Sequence, residues 1–385
     1  MKKAATVLPD DAYHPSPRQG ATQIGVEEVT NRFKKYSPYV FSAHFSGRPD
    51  HEIIGKVEHY RIKLNAFENM FSRKSSYVAK TAAIIKKLDL PIVHVRNRPL
   101  YMPLLRKMLG KNYKLVLHEH NQNIADTLSE AQAIEVFESI DAYVAVSRFT
   151  YDFEITNKYP QYKNKAQAIL NGVNLDKFRP IWEQKEKAIS LRKKYNIANS
   201  LNILFAGAIR ERKGIHHLVE AIKMIVPSHK NVKLVIAGGS KDNLEAKDSF
   251  ANMVKAEAAK IADSIKFIGF IPPSEVQNAY LLGDIFVGPS LWDEPFGLVF
   301  AEASASGLAV IGSRKGGIPE IIKDGETGLL INDPEDPKEI ADKIESLITN
   351  PAKISSFGRA ARKYMESKFS WDRVAKEIED LYDKL

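Results

Sequence analysis

Two glutamates, Glu294 and Glu302, stand eight positions apart in the segment DEPFGLVFAE (293–302). The segment before them (DIFVGPS, 284–290) predicts a short buried strand that ends in turn residues. Pro295 suits the first turn of a helix, because its missing N–H would have no partner there. Eight helical residues rise about 12 Å, which predicts Glu294 at the mouth of a strand-to-helix turn and Glu302 about two turns deeper.

The start of this helix also predicts an anion site. The backbone amides of Phe296, Gly297, Leu298 and Val299 would lack a helical acceptor, and Gly297 would allow close backbone approach. Hydrogen-bond acceptors on both sides of a phosphate suit a ligand with sugar hydroxyls on both sides of its phosphates. The alternative is an ordinary amphipathic helix with a solvated glutamate. The small and apolar neighbours of Glu302 argue against it, because a carboxylate among them needs a partner.

Length and composition favour two domains in a reducing compartment. The chain has 385 residues, and 44% of them are hydrophobic. No apolar run approaches the roughly 18 residues of a membrane span. The first residues (MKKAATVLPDD) predict a strand rather than a signal peptide, because the apolar stretch ends at Pro9. The absence of cysteine excludes disulfides and cysteine metal sites, and it fits a cytoplasmic protein.

The positive charge is concentrated in the first half of the chain. Residues 1–180 hold 27 Lys and Arg against 18 Asp and Glu, whereas residues 181–385 hold 29 of each. One basic segment, interleaved with Phe67, Met70, Phe71 and Tyr77, contains Arg61, Lys63, Arg73, Lys74, Lys80, Lys86 and Lys87. Such a helical segment predicts contact with an anionic membrane surface, and the alternative is a solvated face. No nucleic-acid recognition module is present, so nucleic acid is not an expected partner.

Apolar runs alternate with helical patterns along the whole chain. This alternation predicts two doubly wound α/β domains with parallel sheets and a ligand near the carboxyl ends of the strands. The boundary is expected near residues 171–180, and the tail from Trp371 has helical spacing suited to packing back. The predicted strands are Ala4–Leu8, Tyr39–His44, Val57–Leu64, Ile92–Arg96, Leu115–His118, Ala142–Ser147, Ile203–Ala206, Leu234–Ala237, Ile265–Ile268, Ile285–Gly288, Ala309–Gly312 and Gly328–Ile331.

Several short segments in this order resemble the family-4 retaining glycosyltransferases. They are RQGA (18–21), HN (120–121), AVS (145–147), NGVN (171–174), RKG (212–214), the glutamate pair, GGIPE (316–320) and the closing FSW (369–371). The resemblance spans nearly the whole chain, and the glutamate pair followed by GGIPE is its most specific part. It implies the GT-B fold, with two Rossmann-like domains whose sheets face a central cleft.

The resemblance also implies which substrate each domain binds. An acceptor-binding domain would comprise residues 1–175 with a crossover helix at 367–385, and a domain for the nucleotide-sugar donor would comprise 176–366. It implies retention of anomeric configuration without cofactor or metal, and the chain has no Asp-x-Asp motif. The departing diphosphate would itself help to deprotonate the acceptor hydroxyl.

Basic and glycine residues match the family's phosphate-binding positions. By resemblance Arg212 and Lys213 bind the donor diphosphate, which fits the need for fixed positive charge on a leaving group. Ala208 departs from the family, whose members often carry arginine there, so Arg210 or Arg212 is expected to replace it. The alternative is two solvated charges at a helix start.

Two glycine loops complete the expected donor site. Gly20 would offer its amide to a phosphate, although Gln19 departs from the family's paired glycine and a plain turn glycine is the alternative. Lys315, Gly316 and Gly317 follow a strand, and their glycines predict an anion-binding nest near the donor sugar or its phosphates.

The remaining roles also come from the resemblance. Glu294 would bind donor-sugar hydroxyls or stabilise positive charge on the ring, and Glu302 would accept from both ribose hydroxyls. Phe296 would adjoin the donor. His120 is the expected catalytic histidine, with His118 and Glu119 competing for that position. Arg96 and Arg98 are candidates for binding an anionic acceptor.

The expected function is transfer of a hexose, most commonly from a UDP-sugar, to a glycan or lipid-linked acceptor. Bacterial surface glycans or lipopolysaccharide core are the expected setting, at or near the inner face of the cytoplasmic membrane. The alternatives are a nucleotide-sugar epimerase or a phosphorylase of the same fold, or an inactive scaffold. The donor base is expected to lie near residues 270–273.

Overall fold

A computed structural model describes residues 1–15, 20–239 and 249–385. The chain forms two compact units. Unit 1 contains Met1–Gly172 and Trp371–Leu385, and unit 2 contains Val173–Ser370. The end of the chain therefore returns to the unit in which it began.

Unit 1 is built on an eight-stranded sheet. Its strands are β1 (Lys2–Val7), β2 (Tyr36–Ala43), β3 (His51–Ile54), β4 (Val57–Ile62), β5 (Ile92–Arg96), β6 (Lys114–Glu119), β7 (Ala142–Ala145) and β8 (Ala166–Ala168). Their order is β3-β4-β2-β1-β5-β6-β7-β8, and every pair is parallel except β3 with β4. The strand order reverses direction between β1 and β5, which places a crevice beyond the carboxyl ends of these strands.

Unit 2 holds a six-stranded parallel sheet. Its strands are β9 (Leu201–Ala206), β10 (Val232–Ala237), β11 (Ile265–Gly269), β12 (Ile285–Gly288), β13 (Ala309–Ser313) and β14 (Gly328–Ile331). Their order is β11-β10-β9-β12-β13-β14. The loops that leave the neighbouring strands β9, β12 and β13 therefore lie side by side at one edge of the sheet.

Helices connect the strands in both units. The α-helices from the start of the chain to the end of unit 2 are α1 (Ala21–Thr30), α2 (Ala66–Phe71), α3 (Arg73–Leu88), α4 (Tyr101–Leu109), α5 (Asn123–Thr127), α6 (Glu130–Ser139), α7 (Arg148–Tyr151), α8 (Lys185–Lys194), α9 (Ile215–Ile225), α10 (Ser249–Ala259), α11 (Gln277–Tyr280), α12 (Leu298–Ala305), α13 (Ile318–Ile321), α14 (Pro337–Ile348) and α15 (Pro351–Lys368). The last, α16 (Trp371–Tyr382), belongs to unit 1. Shorter turns are a π-helical turn at Asp152–Thr156 and 3₁₀ turns at Pro160–Lys165, Ile181–Glu183, Glu211–Lys213 and Ala262–Ser264.

Each unit has its own hydrophobic core. Central strands such as β12 (IFVG) are buried along their whole length, which explains their continuous apolar sequence. Helix α9 buries Ile215, Leu218 and Ile222, whose spacing matches one face of an α-helix. The sheet and its covering helices thus hold the connecting loops of unit 2 on a rigid support.

All twelve predicted strands are present, with ends shifted by a few residues. The short strands β3 and β8 were not predicted. The basic segment predicted to be helical is instead the end of β4 followed by α2 and α3, and Tyr77 lies in the core. None of the described helices is long and apolar enough to cross a membrane.

Candidate functional site

The loop after β12 leads into helix α12 through Gly297. This glycine caps the helix in the left-handed region with φ of +94°, a conformation that favours glycine. The helix therefore begins at Leu298, and the prediction that Pro295 occupies its first turn is wrong. Only part of the path from Glu294 to Glu302 is helical. The first amides of α12, on Leu298 and Val299, have no acceptor within the helix.

Glu294 is held in this loop by a cation and a hydroxyl. Its side chain is almost fully buried, with 7% of the residue exposed. The ammonium group of Lys213 contacts its carboxylate directly, and the Ser290 hydroxyl donates to the same oxygen, Oε1, at 3.1 Å. The basic residue predicted to bind phosphate and the glutamate predicted to bind sugar therefore form one cluster.

A basic turn at Glu211–Lys213 supplies Lys213 after strand β9. The next residue, Gly214, has φ of +67°, and a Cβ on it would overlap the carbonyl oxygen of Pro289. The backbone amide of Leu291 also donates to the carbonyl of Arg212 at 2.9 Å. These contacts fix the basic turn against the loop that carries Glu294.

Trp292 is a part of the site that the sequence analysis missed. The guanidinium carbon of Arg212 lies 4.4 Å from the centre of a Trp292 ring, and the Lys213 nitrogen lies 5.6 Å from it. A cation over an aromatic face is stabilised by the ring's quadrupole. The signal was available in the sequence, because Trp292 stands two positions before Glu294.

Glu302 lies on α12 and accepts a hydrogen bond from Tyr280 at 2.5 Å. Burial raises the pKa of Glu302 to about 7, although the Tyr280 hydroxyl and the charge of Lys177 both act to lower it. Tyr280 is fully buried and was not predicted as part of the site. One carboxylate oxygen of Glu302 is therefore engaged by Tyr280.

The glycines of the loop after β13 were predicted to form an anion-binding nest, but their amides bond to the protein itself. The amide of Gly316 donates to Asp293 Oδ1 at 3.0 Å, and the amide of Gly317 donates to the carbonyl of Glu294 at 2.7 Å. A Cβ on Gly316 would overlap the backbone of Glu294. The predicted anion-binding nest is therefore not free, because these glycines pack against the Glu294 loop. Lys315, beside them, is half-buried.

His120 follows strand β6 in unit 1. Its ring stacks on His118 with centroids 4.9 Å apart, and its backbone amide donates to Asn97 Oδ1 at 3.1 Å. Burial, with a smaller effect of the Arg96 charge, lowers the pKa of His120 to about 3, so the ring is neutral at pH 7. Both ring nitrogens are buried and have no hydrogen-bond partner within the described residues.

The two candidates that compete with His120 are held by other protein groups. His118 packs between His94 and His120 in a stack of three rings and contacts the Arg96 guanidinium. Burial raises the pKa of Glu119 to about 8, and its carboxylate accepts from Asn123 at 2.5 Å. Within the described part of the chain, one atom of the His118 ring and one of the Glu119 carboxylate have a hydrogen-bond partner, whereas neither ring nitrogen of His120 has one.

The other predicted site residues of unit 1 that the structure describes are engaged by protein groups or buried. Gly20 caps α1, and its amide donates to Gln23 at 3.2 Å rather than standing free for a phosphate. Gln19 lies outside the described residues. Arg98 pairs with Asp11 at 2.7 Å. Arg96 is fully buried, and burial lowers its pKa to about 10, so it remains charged at pH 7.

Within residues 1–15, 20–239 and 249–385, no three His, Asp or Glu side chains come together as a group that could hold a metal ion. Metal independence itself stays a prediction. The described site can supply fixed positive charge at Arg212 and Lys213, two carboxylates, and a helix start. That combination suits a ligand with both phosphates and hydroxyls.

Two family models match the chain. Residues 187–364 match the model described as glycosyl transferases group 1, and residues 30–177 match the model described as glycosyltransferase family 4. Spore coat protein SA of Bacillus subtilis is 30% identical over 99% of both chains. The lipopolysaccharide 1,2-N-acetylglucosaminetransferase of Salmonella typhimurium is 28% identical over 70% of this chain and 66% of its own length.

The fold is shared with solved structures. HepE of Anabaena in complex with UDP and glucose covers 99% of both chains with a TM-score of 0.77 and 15% identity. This likeness confirms the predicted GT-B fold.

Proposed function

The chain belongs to the group 1 glycosyltransferases of family 4, and from that premise we propose that it transfers a sugar from a UDP-sugar to a hydroxyl of a glycan or lipid-linked acceptor, with retention of configuration. One observation carries the proposal. The basic turn of Arg212 and Lys213 lies against the loop of Glu294 at the start of α12. A donor diphosphate at this turn would bring its sugar beside the Glu294 carboxylate.

The basic turn would act on the leaving group. Breaking a sugar–phosphate bond leaves negative charge on the diphosphate, and fixed cations in a partly buried site stabilise that charge most strongly. Arg212 and Lys213 supply two cations, and the amides of Leu298 and Val299 at the helix start add a positive end of a dipole. No metal is needed for this step.

The Glu294 carboxylate would act on the sugar. It would accept hydrogen bonds from sugar hydroxyls and stabilise the positive charge that develops on the ring. Glu302 would bind the ribose through the oxygen that Tyr280 does not occupy. His120, whose pKa is lowered to about 3, would act as a neutral hydrogen-bonding group rather than as an imidazolium. The departing diphosphate would receive the proton of the acceptor hydroxyl.

Support for the donor and acceptor classes comes from relatives. The HepE structure contains UDP and glucose, and the Salmonella relative is named a lipopolysaccharide transferase. We therefore propose a UDP-sugar donor and a cell-envelope glycan acceptor, on the cytoplasmic side of an anionic membrane. The Bacillus relative is named a spore coat protein, which favours an inactive surface component as the second candidate.

Turnover of UDP-sugars tests the proposal. The protein would be incubated with a panel of UDP-sugars and cell-envelope glycans in EDTA, and released UDP and the product's anomeric configuration would be measured. Acceptor-dependent UDP release with a retained configuration supports the proposal. Consumption of the sugar without an acceptor indicates an epimerase, and a requirement for inorganic phosphate indicates a phosphorylase. Binding and turnover that are both absent favour the surface component.

A further inference from the structure

Helix α2 presents three large apolar side chains to solvent. Phe67, Met70 and Phe71 have 68%, 74% and 69% of their surface exposed. Their spacing of three and four residues puts them on one face of the helix. The rings of Phe67 and Phe71 contact each other with centroids 5.0 Å apart, and α2 has no buried residue. We call these three side chains the apolar face of α2.

Polar bonds, not burial, hold this helix in place. Asn65 Oδ1 accepts from the amide of Glu68 at 2.9 Å, and Glu68 Oε2 accepts from the amide of Asn65 at 2.7 Å, which forms a capping box. Lys80 then donates to Glu68 at 2.7 Å and ties α2 to α3. The three side chains of the apolar face lie outside the hydrophobic core, so core packing does not explain them. Contiguous exposed apolar groups of this kind mark interaction sites.

The surroundings of the apolar face are basic. Residues 63–87 contain six basic side chains and one acid, Glu68, which is already paired with Lys80. Arg73 is engaged with Asp10, whereas Lys63 and Lys74 are exposed and form no ion pair within the described ranges. Lys63 precedes α2 and Lys74 follows it, so free cations flank the apolar face along the chain.

A cavity of about 400 Å³ shares Lys63 and Lys80 with the surroundings of α2, although no residue of α2 lines it. Its lining consists of Asp50, His51, Tyr60, Arg61, Ile62, Lys63, Lys80, Ala83 and Ile84. Lys80 links it to α2, since its ammonium donates both to Glu68 and to the carbonyl of Lys63 at 3.0 Å. Apolar and basic side chains therefore also occur together in this cavity, beside one acid, Asp50.

We propose that the apolar face of α2 inserts into the interfacial region of an anionic lipid bilayer while Lys63 and Lys74 contact the lipid headgroups. Burial of apolar side chains together with electrostatic attraction is what holds interfacial helices on anionic membranes. The inference rests on the proposed function only for the reason to bind a membrane, which is that a lipid-linked acceptor would lie in such a bilayer.

A bilayer fits this surface better than a protein does. A helix with no buried residue forms a projection, and a fluid bilayer can close around a projection without a preformed groove. The charges that flank the apolar face without an ion pair in the described ranges, on Lys63 and Lys74, are both positive, which matches a surface of anionic headgroups. The proposed membrane surface contains fewer residues than the basic segment predicted from the sequence, because Arg61 is buried against Glu52 and Tyr77 lies in the core.

Co-sedimentation with vesicles tests the proposal. The full chain would be mixed with vesicles of phosphatidylcholine alone or with equal parts of phosphatidylglycerol. We expect binding to the anionic vesicles, at least about tenfold weaker for the triple variant Phe67→Ser, Met70→Ser, Phe71→Ser. The Lys63→Ala, Lys74→Ala variant should bind about thirtyfold more weakly at low salt, because each lysine near an anionic surface contributes about 1 kcal/mol.

Matched controls remove exposed groups elsewhere. Ile189→Ser, Met224→Ser and Met253→Ser remove three exposed apolar side chains from unit 2, and Lys111→Ala with Lys187→Ala removes two exposed lysines. Both control variants should bind anionic vesicles as the wild type does. A separate Phe71→Trp variant should shift its emission to the blue with anionic vesicles only, which tests insertion even where the triple variant fails to fold.

Several outcomes would overturn the proposal. They are no binding of the wild type to anionic vesicles, unchanged binding of the triple variant, or an unshifted Phe71→Trp emission. A wild type that dimerises through this face and ignores vesicles would assign it to a second copy of the chain instead. UDP release is a separate readout: vesicle binding without any sugar transfer would contradict the proposed function and leave the membrane surface standing.

Discussion

The ammonium group of Lys213 contacts the carboxylate of Glu294, although 81 residues separate them in the chain. A phosphate that enters this site must share or displace that contact. In the proposed function, Lys213 would link the charge of the donor diphosphate to the position of the carboxylate that faces the sugar.

We expect Lys213→Ala to lower kcat/KM for the donor at least about tenfold, the effect of losing about 1.4 kcal/mol of transition-state stabilisation. The matched control is Lys187→Ala, an exposed lysine of the same unit. Because the two groups touch, the effects of Lys213→Ala and Glu294→Ala should not add in a double-mutant cycle. Full activity of Lys213→Ala would remove the basic turn from the mechanism.

The two glutamates should separate in steady-state kinetics. Glu294→Ala should lower kcat at least about tenfold, because the carboxylate is proposed to act on the reacting sugar. Glu302→Ala should mainly raise the donor KM, because Glu302 is proposed to bind a part of the donor that does not react. Normal turnover by Glu294→Ala would contradict the role given to Glu294. A lowered kcat in Glu302→Ala alone would indicate that the two roles are reversed.

Donor binding should depend on pH through Glu302. Its pKa is raised from 4.5 to about 7, so the group is protonated below about pH 7 and ionised above it. Ribose hydroxyls donate best to the ionised form, so the affinity for a UDP-sugar should rise as pH increases through about 7. Titration calorimetry across this range measures the effect, and Glu302→Gln should abolish it. A profile that Glu302→Gln leaves unchanged would trace the dependence to another group.

The same raised pKa has a consequence for stability. An ionised carboxyl is disfavoured in the folded protein, so Glu302 should lower the free energy of unfolding as pH rises from about 4.5 to about 7. The Glu302→Gln variant should lose less stability over that interval than the wild type. Chemical denaturation at several pH values measures the difference, and parallel curves would contradict it.

Trp292 should position Arg212. Replacing it with Leu should raise the donor KM about fivefold, since a cation over an aromatic face is worth about 1 kcal/mol. The control is Trp182→Leu, because Trp182 stacks with Arg359 at 4.8 Å in the same unit. The chain has three tryptophans, so donor binding should change the emission of the wild type but not of Trp292→Phe. Equal KM values for the Trp292 and Trp182 variants would count against this role.

Gly316 should be required for packing as well as for conformation. Alanine in the left-handed region costs about 1–2 kcal/mol, and Gly316→Ala would in addition overlap the backbone of Glu294. Gly325→Ala is the control, because Gly325 also has positive φ but nothing within 4 Å of an added Cβ. Urea unfolding should show a larger loss for Gly316→Ala. Equal losses would mean that the close packing has no cost.

The central strands of both sheets could be predicted because buried parallel strands have short, continuously apolar sequences. All the central strands were found for this reason. Strand β3 (HEII) was missed because it lies at the exposed antiparallel edge of its sheet, and β8 was missed because it has only three residues. The apolar residues of α9 likewise have the spacing of one helical face.

The site could be predicted only where local sequence carries the chemistry. Glu294 and Lys213 were named from their motifs, but their contact depends on a turn and a loop that only the folded sheet brings together. The start of α12 was misplaced because the left-handed conformation of Gly297 is not visible in the sequence. Tyr280 was missed because its bond to Glu302 joins residues 22 positions apart on different helices.

Calorimetric titration of the wild type and of Lys213→Ala with UDP, GDP and ADP in EDTA tests the central claim most directly. We predict that UDP binds the wild type at least about tenfold more tightly than GDP or ADP, and that Lys213→Ala weakens UDP binding at least about tenfold. Absence of UDP binding to the wild type, or UDP binding that Lys213→Ala leaves unchanged, would contradict a donor site at the basic turn.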